Sequence, residues 1–331
     1  MGPSRSAGHC DHALGSRGRE PGRLEASLFM APFAITARQK LDRKHTQPRG
    51  NRFMSEITAA KVKAFRERTG LPLMDCKQAL TEAGGDEDKA YELLRKRGET
   101  LGNKRADRET AFGRFGIYCG YDKQAGAIVE LKCESAPVTQ NEEFIKLANN
   151  MAEALAKSSE NISSPEGLLK LPSPSNSKVT IGEQMAELFN RIREKFEVGR
   201  MNKLAGATGG YSHNSGTVAG VLLQVDGGNE TVAKDVAMHI VAMRPEALTK
   251  EELNPESVAK ERELLKAAAQ QEGKPEAIVD KMVDGRLRQF FAEKVLLEQP
   301  FVKDDKLTVG QYAKESNMQI KKFVFYVLGQ A

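Results

Sequence analysis

Apolar residues recur at helical spacing in three short bursts between residues 54 and 98. Ile57, Val62 and Phe65 mark a first helix, which Ser55 or Thr58 can cap and Gly70 closes. Cys76, Ala79, Leu80 and Ala83 mark a second, from about Pro72 to Ala83, ended by Gly84-Gly85. Asp86 opens a third, with Ala90, Leu93 and Leu94 inward and Gly98 as its stop. The spacing predicts a compact, marginally stable three-helix module. Between its first two helices, residues 66–80 read Arg-Glu-Arg-Thr-Gly-Leu-Pro-Leu-Met-Asp-Cys-Lys-Gln-Ala-Leu. This corner is predicted to present Leu71, Leu73 and Met74, and an apolar loop on so small a unit is costly unless something packs on it.

Beyond residue 110 the pattern turns to strands alternating with helices, and it repeats. Gly126-Ala-Ile-Val-Glu-Leu-Lys-Cys133 precedes a helix opened by Asn141-Glu142. Gly216-Thr-Val-Ala-Gly-Val-Leu-Leu-Gln-Val225 precedes one opened by Asn229-Glu230. Asn suits the cap, and Glu suits the positive end of the helix. Phe115–Gly120 and, more loosely, Met201–Leu204 are expected as the preceding strands. The fold class is α+β, a duplicated core of small antiparallel sheets backed by helices, with one subdomain over 110–200 and a second over 201–331. A Pro/Ser-rich connector at 168–177 leads to Ile181, Met185, Leu188, Phe189, Ile192 and Phe196, an amphipathic stripe expected to pack on the core. Residues 255–298 read as an inserted antiparallel helical hairpin, a coiled coil in which Val258, Leu264, Leu265 and Ala268 face Ile278, Met282, Leu287 and Phe290. Phe323–Leu328 is a final strand.

The chain has 331 residues, 40% hydrophobic and 29% charged, with a net charge of +5. Residues 1–53 hold ten Lys/Arg against four Asp/Glu, so the other 278 residues carry a net −1. A near-neutral body without tryptophan gives no footprint for direct nucleic-acid binding. The Gly/Arg/Pro/Ser-rich segment 1–53 is expected to be a disordered extension or to lie upstream of a start at Met54. An organelle transit peptide is the alternative, against which Asp11, Glu20 and Glu25 count. No apolar run approaches the roughly 18 residues that span a bilayer, so no membrane partner is expected. Cys10, Cys76, Cys119 and Cys133 form no CxxC pair, no zinc site is expected, and reduced thiols fit a cytoplasmic protein. Outside the extension only His213 and His239 remain, neither in a recognisable triad. Gly206-Ala-Thr-Gly-Gly210 lacks the Gly-Lys-Ser/Thr of a phosphate loop and reads as a turn. No catalytic residue, cofactor or metal is assigned.

The corner at 66–80, the duplicated core, His239-Ile-Val-Ala-Met-Arg-Pro245 and Gln299-Pro-Phe-Val302 with Thr308-Val-Gly-Gln311 occur in one order. That order resembles the bacterial elongation factor Ts family over nearly all of 54–331. The resemblance implies a guanine-nucleotide exchange factor for the translational GTPase elongation factor Tu, in its GDP-bound and nucleotide-free forms. It implies a three-helix module of the ubiquitin-associated kind and a protruding hairpin that can contribute to higher-order assembly. It carries GTPase contact onto Arg66, Leu73, Met74, Asp75 and Lys77, and onto His213 in the second repeat. The family's Thr-Asp-Phe-Val loop, whose Phe wedges near the Mg²⁺ and phosphate site, is here Ser135, Ala136, Pro137 and Val138. The Asp and the Phe are absent, so the loop, extended or turned by Ala136-Pro137, is expected to act either as a smaller wedge or only as a connector.

Overall fold

The computed structural model describes residues 57–272 and 275–330, so the expectations for residues 1–53 and for a cap at Ser55 lie outside the described residues. The chain opens with α1 (Ala59–Thr69), α2 (Leu73–Glu82) and α3 (Glu87–Lys104). Thr58 caps α1 by accepting from the Lys61 N–H at 3.2 Å, and Gly70 ends it in the left-handed region at φ 68°. Asp86 caps α3, accepting from the N–H groups of Asp88 and Lys89. Val62, Phe65, Leu71, Cys76, Ala79, Leu80, Ala90 and Leu94 form the module's own core. Gly98 does not stop α3, which runs on to Lys104. A Cβ at Gly98 would lie 1.7 Å from Asn190 Oδ1, so this glycine serves a close helix crossing rather than a terminus.

The body follows as β1 (Phe112–Tyr118), β2 (Ala125–Cys133), α4 (Glu142–Lys157), α5 (Pro165–Leu169), β3 (Pro172–Ser173), β4 (Asn176–Thr180), α6 (Ile181–Ile192) and β5 (Phe196–Ala205). Then come β6 (Thr208–Ser215), β7 (Thr217–Gly227), α7 (Glu230–Met243), α8 (Pro255–Gln271) and α9 (Glu276–Lys294). It ends with β8 (Pro300–Phe301), β9 (Asp304–Thr308), α10 (Val309–Glu315) and β10 (Met318–Val327). Two antiparallel three-stranded sheets result, in the orders β1-β2-β5 and β10-β7-β6. Met201–Leu204 therefore does not open the second unit. These residues pair with β2 and complete the first sheet, while β6 opens the second. Thr208, Gly209 and Gly210 lie in β6, where Cβ atoms on the two glycines would meet Ala233 Cβ at 2.4 Å and Ile117 Cγ2 at 2.8 Å. Close packing, not phosphate binding, accounts for these two glycines.

The period-2 alternation of the central strands decides the layers. In β2, Ala127, Val129, Leu131 and Cys133 face α4 and α6, while Ile128 faces the other sheet. In β7, Val221, Leu223 and Val225 face α7 and α10, while Leu222 faces the first sheet. The order is helix, sheet, sheet, helix. Both central strands are buried on both sides, which is why they read as continuous apolar runs. Glycines set the spacing: a Cβ at Gly220 would lie 2.7 Å from Phe115 Cγ, and one at Gly116 1.9 Å from the Ala148 carbonyl oxygen of α4.

A buried ion pair within the first sheet reaches across to the second. Glu130 of β2, 4% exposed, accepts from the Arg200 N–H at 3.1 Å, Nε at 3.0 Å and Nη2 at 2.9 Å. Arg200 Nη2 also donates to the Val327 carbonyl of β10 at 2.7 Å, and its guanidinium lies 4.7 Å from the Tyr326 ring centroid. A buried charge pair is tolerable only when its remaining donors and acceptors are satisfied, as these are.

The repeat extends further than the apolar runs suggest. Asn141 and Asn229 cap α4 and α7 in the same way. Thr180 with Glu183 and Thr308 with Gln311 form equivalent capping boxes at α6 and α10, each behind a short β-hairpin opened by proline. The stripe from Ile181 packs on the core, with Ile181 and Leu188 buried and Met185, Phe189 and Ile192 beside them, but Phe196 joins the same core from the start of β5 rather than from the helix.

α8 and α9 pair antiparallel through Leu265, Ala269, Val279 and Val283, with Arg262–Asp284 (2.9 Å) and Arg286–Glu272 (2.7 Å) as flanking ion pairs. Leu264 and Ile278 point outward, contrary to the predicted facing, because the seam runs one residue further along each helix. Among the described residues no helix is long and apolar enough to cross a membrane.

His239 on α7 is buried at the base of the hairpin. Its Nδ1 accepts from the Val302 N–H at 3.2 Å, which leaves Nε2–H to donate to Gln299 Oε1 at 2.9 Å. Gln299 Nε2 then donates to the Glu293 carbonyl at 2.8 Å. Burial lowers the His239 pKa, outweighing the opposing Gln299 hydrogen bond. The unfolded chain therefore takes up this proton first, and stability contributed by neutral His239 begins to fall as pH drops below about 6.5. Thermal melts from pH 7 to 5 are expected to show falling stability with a single-proton slope of at most about 1.4 kcal/mol per pH unit. His239→Gln removes that slope. An unchanged slope in the variant contradicts the assignment.

Candidate docking surface

The corner between α1 and α2 follows from its sequence. Gly70 supplies the left-handed turn, and the Leu71 N–H meets Thr69 Oγ1 at 3.4 Å. Pro72 sits just before α2 at φ −56°, close to its fixed value. Leu71 is not presented, as the sequence suggested, but buried at 6% exposure against Phe65 and Leu80. The residues after Pro72 turn outward instead. Leu73 is 49% exposed and Met74 69% exposed, and both are apolar. Arg66 and Lys77 flank them in solvent, and among the described residues neither side chain has an ion-pair partner. The result is an apolar knob with two free cations beside it, suited to an apolar recess rimmed by acidic groups.

Asp75 differs from its neighbours. In the first turn of α2 it favours the helix dipole, and its carboxylate pairs with the Arg193 guanidinium at the end of α6. It is engaged within the chain.

Residues 136–140 form a 3-10 turn opened by Ser135, so Ala136-Pro137 takes the turned rather than the extended alternative. Ala136 and Pro137 are exposed, whereas Val138 is 8% exposed and belongs to the core under β2. Val138 thus anchors the turn instead of presenting a surface. Ser135 is held from behind, its N–H and hydroxyl donating to Glu194 at 3.0 and 2.7 Å. Cys133, just before it, is buried, and burial pushes its thiol up to about 12, so it is no nucleophile at neutral pH.

His213 lies within β6, paired with Ala219, rather than in a loop. It is half-buried, with Nδ1 3.1 Å from the Tyr211 hydroxyl and the rings tilted at 43°. The sequence missed Arg193, Glu194 and Tyr211 as supports. Arg193 and Glu194 sit just past the amphipathic stripe, and that position was the only signal they left.

The family model described as Elongation factor TS matches residues 137–330. The Elongation factor Ts of Bordetella petrii is 39% identical over 277 residues, covering 84% of this chain and 93% of that protein. That of Azoarcus sp. is 39% identical over 279 residues, covering 84% and 92%. That of Herminiimonas arsenicoxydans is 40% identical over 277 residues, covering 84% and 92%.

The chain belongs to the elongation factor Ts family.

Within this member of the family, buried and exposed apolar residues alternate abruptly at the corner, and the energetics should follow. Leu71→Ala removes a buried side chain and is expected to cost about 2–5 kcal/mol of unfolding free energy. Leu73→Ala with Met74→Ala removes exposed side chains and should stay within about 0.5 kcal/mol of the parent. Urea denaturation of both variants checks the contrast. Comparable losses in the two would mean that Leu73 and Met74 pack inside the module.

Proposed function

We propose that this chain is the guanine-nucleotide exchange factor of elongation factor Tu and acts in translation elongation. The observation that carries the reading is the exposed corner Leu73-Met74, flanked by Arg66 and Lys77, in a chain of this family. The module carrying it is of the ubiquitin-associated kind, and the α8–α9 pair is a coiled coil available for higher-order assembly. The factor works in the cytoplasm and acts by binding alone, with no covalent step and no direct contact with nucleic acid or membrane.

Leu73 and Met74 enter an apolar recess of the GTPase, and Arg66 and Lys77 meet its acidic rim. Ala136 and Pro137, on the turn opened by Ser135 and anchored by Val138, form a second and smaller knob where relatives place an aromatic wedge. His213, oriented by Tyr211, supplies a third contact. Asp75 contributes through the posture of α2 rather than by touching the partner.

Exchange follows from opposed binding. A factor that holds the GTPase with its phosphate loop and Mg²⁺ displaced weakens GDP, and GDP weakens the factor by the same free energy. Each tenfold loss of GDP affinity needs about 1.4 kcal/mol of differential binding. Two buried apolar anchors of 1–2 kcal/mol each are of the right size. GDP leaves, the nucleotide-free complex persists, and GTP then enters and displaces the factor.

Release of fluorescent mant-GDP from a bacterial elongation factor Tu tests the reading. Substoichiometric factor should accelerate release, and Leu73→Ala with Met74→Ala should lower the catalysed rate by about tenfold or more, as loss of two interface anchors would. Pro137→Gly should lower it less, since a smaller apolar contact is lost. Binding without acceleration would overturn the exchange reading and favour a passive adaptor.

A further inference from the structure

We propose that Arg193 and Glu194 are positioning residues that hold the corner and the 135–138 turn in one fixed relation, and that fast exchange depends on this relation. The proposal rests on the exchange reading above and adds to it the joint that makes two separate surfaces act together.

Three consecutive residues at the end of α6 each grip a different segment. Arg193 pairs through Nη2 with Asp75 at the start of α2. Glu194 accepts from the Ser135 N–H at 3.0 Å and from its hydroxyl at 2.7 Å. Lys195 donates its N–H to Glu134 at 2.6 Å and its Nζ to the carbonyls of Ala106 and Arg108 at 2.7 and 3.0 Å. The corner, the turn and the segment linking the module to β1 therefore converge on one short stretch of backbone. Glu134 tightens it further. Burial would raise its pKa, but the Lys195 N–H, Arg108 and Arg105 outweigh burial and hold it below its ordinary value.

Arg193 is an unusual residue to find there. It adopts φ 66°, ψ 28°, the left-handed region that a helix end normally gives to glycine or asparagine. Its Nε is buried and, among the described residues, has no hydrogen-bond partner. A strained backbone and an unsatisfied donor persist only where surrounding structure dictates the arrangement, and they cluster at functional sites. A glycine here would relieve the strain but could not reach Asp75.

The rest of the seat is made of discrete touches along α6. Tyr91 donates to Glu187 at 3.2 Å, Gly98 crosses at Asn190, and Gly70 lies where a Cβ would be 2.9 Å from Arg191 Cδ. Beside this close crossing lies a cleft of about 980 Å³, lined in part by Tyr91, Leu94, Gly102 and Phe189. The Arg193–Asp75 pair at the end of this seat adds a side-chain link that ties α2 itself to α6. Arg66, Leu73, Met74 and Lys77 take no part in the seat and stay free for a partner.

The test uses the full chain, a bacterial elongation factor Tu loaded with mant-GDP, and a series of factor concentrations. Arg193→Gln, Asp75→Asn and Glu194→Gln are each expected to lower the maximal release rate per folded molecule about five- to tenfold, within the coupling range of contacting residues. The half-saturating concentration should move less than about threefold, because the corner alone still binds. Asp75→Asn with Arg193→Gln should fall no further than either single change, since both break one pair. Arg193→Lys, which keeps the charge, should recover at least about half of the rate. Circular-dichroism melts supply the folded fraction. The proposal is overturned if wild type accelerates release while Arg193→Gln and Asp75→Asn keep the parental maximal rate per folded molecule. It is equally overturned if only the half-saturating concentration changes. Failure of the wild type to accelerate release would instead overturn the exchange reading.

Discussion

Gly220 lies flat against Phe115 and Ile128 where the two sheets meet, and Arg200, paired with Glu130 in the first sheet, donates across the same seam to the end of β10. With a side chain at 220 the sheets could not approach, and with no approach Ile128 and Leu222 would lose their burial. Once the inner faces are joined, the outer faces must be covered by helices, because β2 and β7 are apolar on both sides. α6 is one of those covering helices. Its outer surface receives the three-helix module, and Glu194, just past its end, holds Ser135 at the opening of the 136–140 turn. The exposed corner thus inherits its orientation from a contact between two sheets far from it in sequence.

A marginal three-helix unit gains from this arrangement in two ways. Its internal core is small, and the seat on α6 adds contacts that a free module would lack. It also fixes which side of α2 faces outward. Leu71 and Cys76 go inward, Asp75 goes to Arg193, and Leu73 and Met74 remain on the open side. Exposed apolar side chains carry a cost in the free protein, which a partner can recover on binding. For an exchange factor the important quantity is differential affinity, and two contacts in fixed relation oppose a bound nucleotide more effectively than two contacts free to adjust.

Much of the fold was legible because its signals are local. Thr58, Asp86, Asn141 and Asn229 cap helices where the sequence placed them, and the long apolar strands are central strands. The errors arose where tertiary contact overrides local meaning. Gly98 reads as a stop but is a crossing point against Asn190, and Leu71 reads as exposed because it adjoins Pro72. Met201–Leu204 reads as part of the second unit because its return to β2 spans a long connection. Val138 shares a short motif with surface residues, yet it lies in the core. The capping boxes at Thr180 and Thr308 would have revealed the full repeat, had the Thr-x-Gly-Glu/Gln spacing been aligned.

The central claim is that this chain holds its partner through the corner and the turn at once. Hydrogen–deuterium exchange of the chain, alone and bound to nucleotide-free bacterial elongation factor Tu, tests it most directly. The account predicts slowed amide exchange in both 66–77 and 134–140 within the same complex. Protection at one segment alone, or at neither, contradicts it.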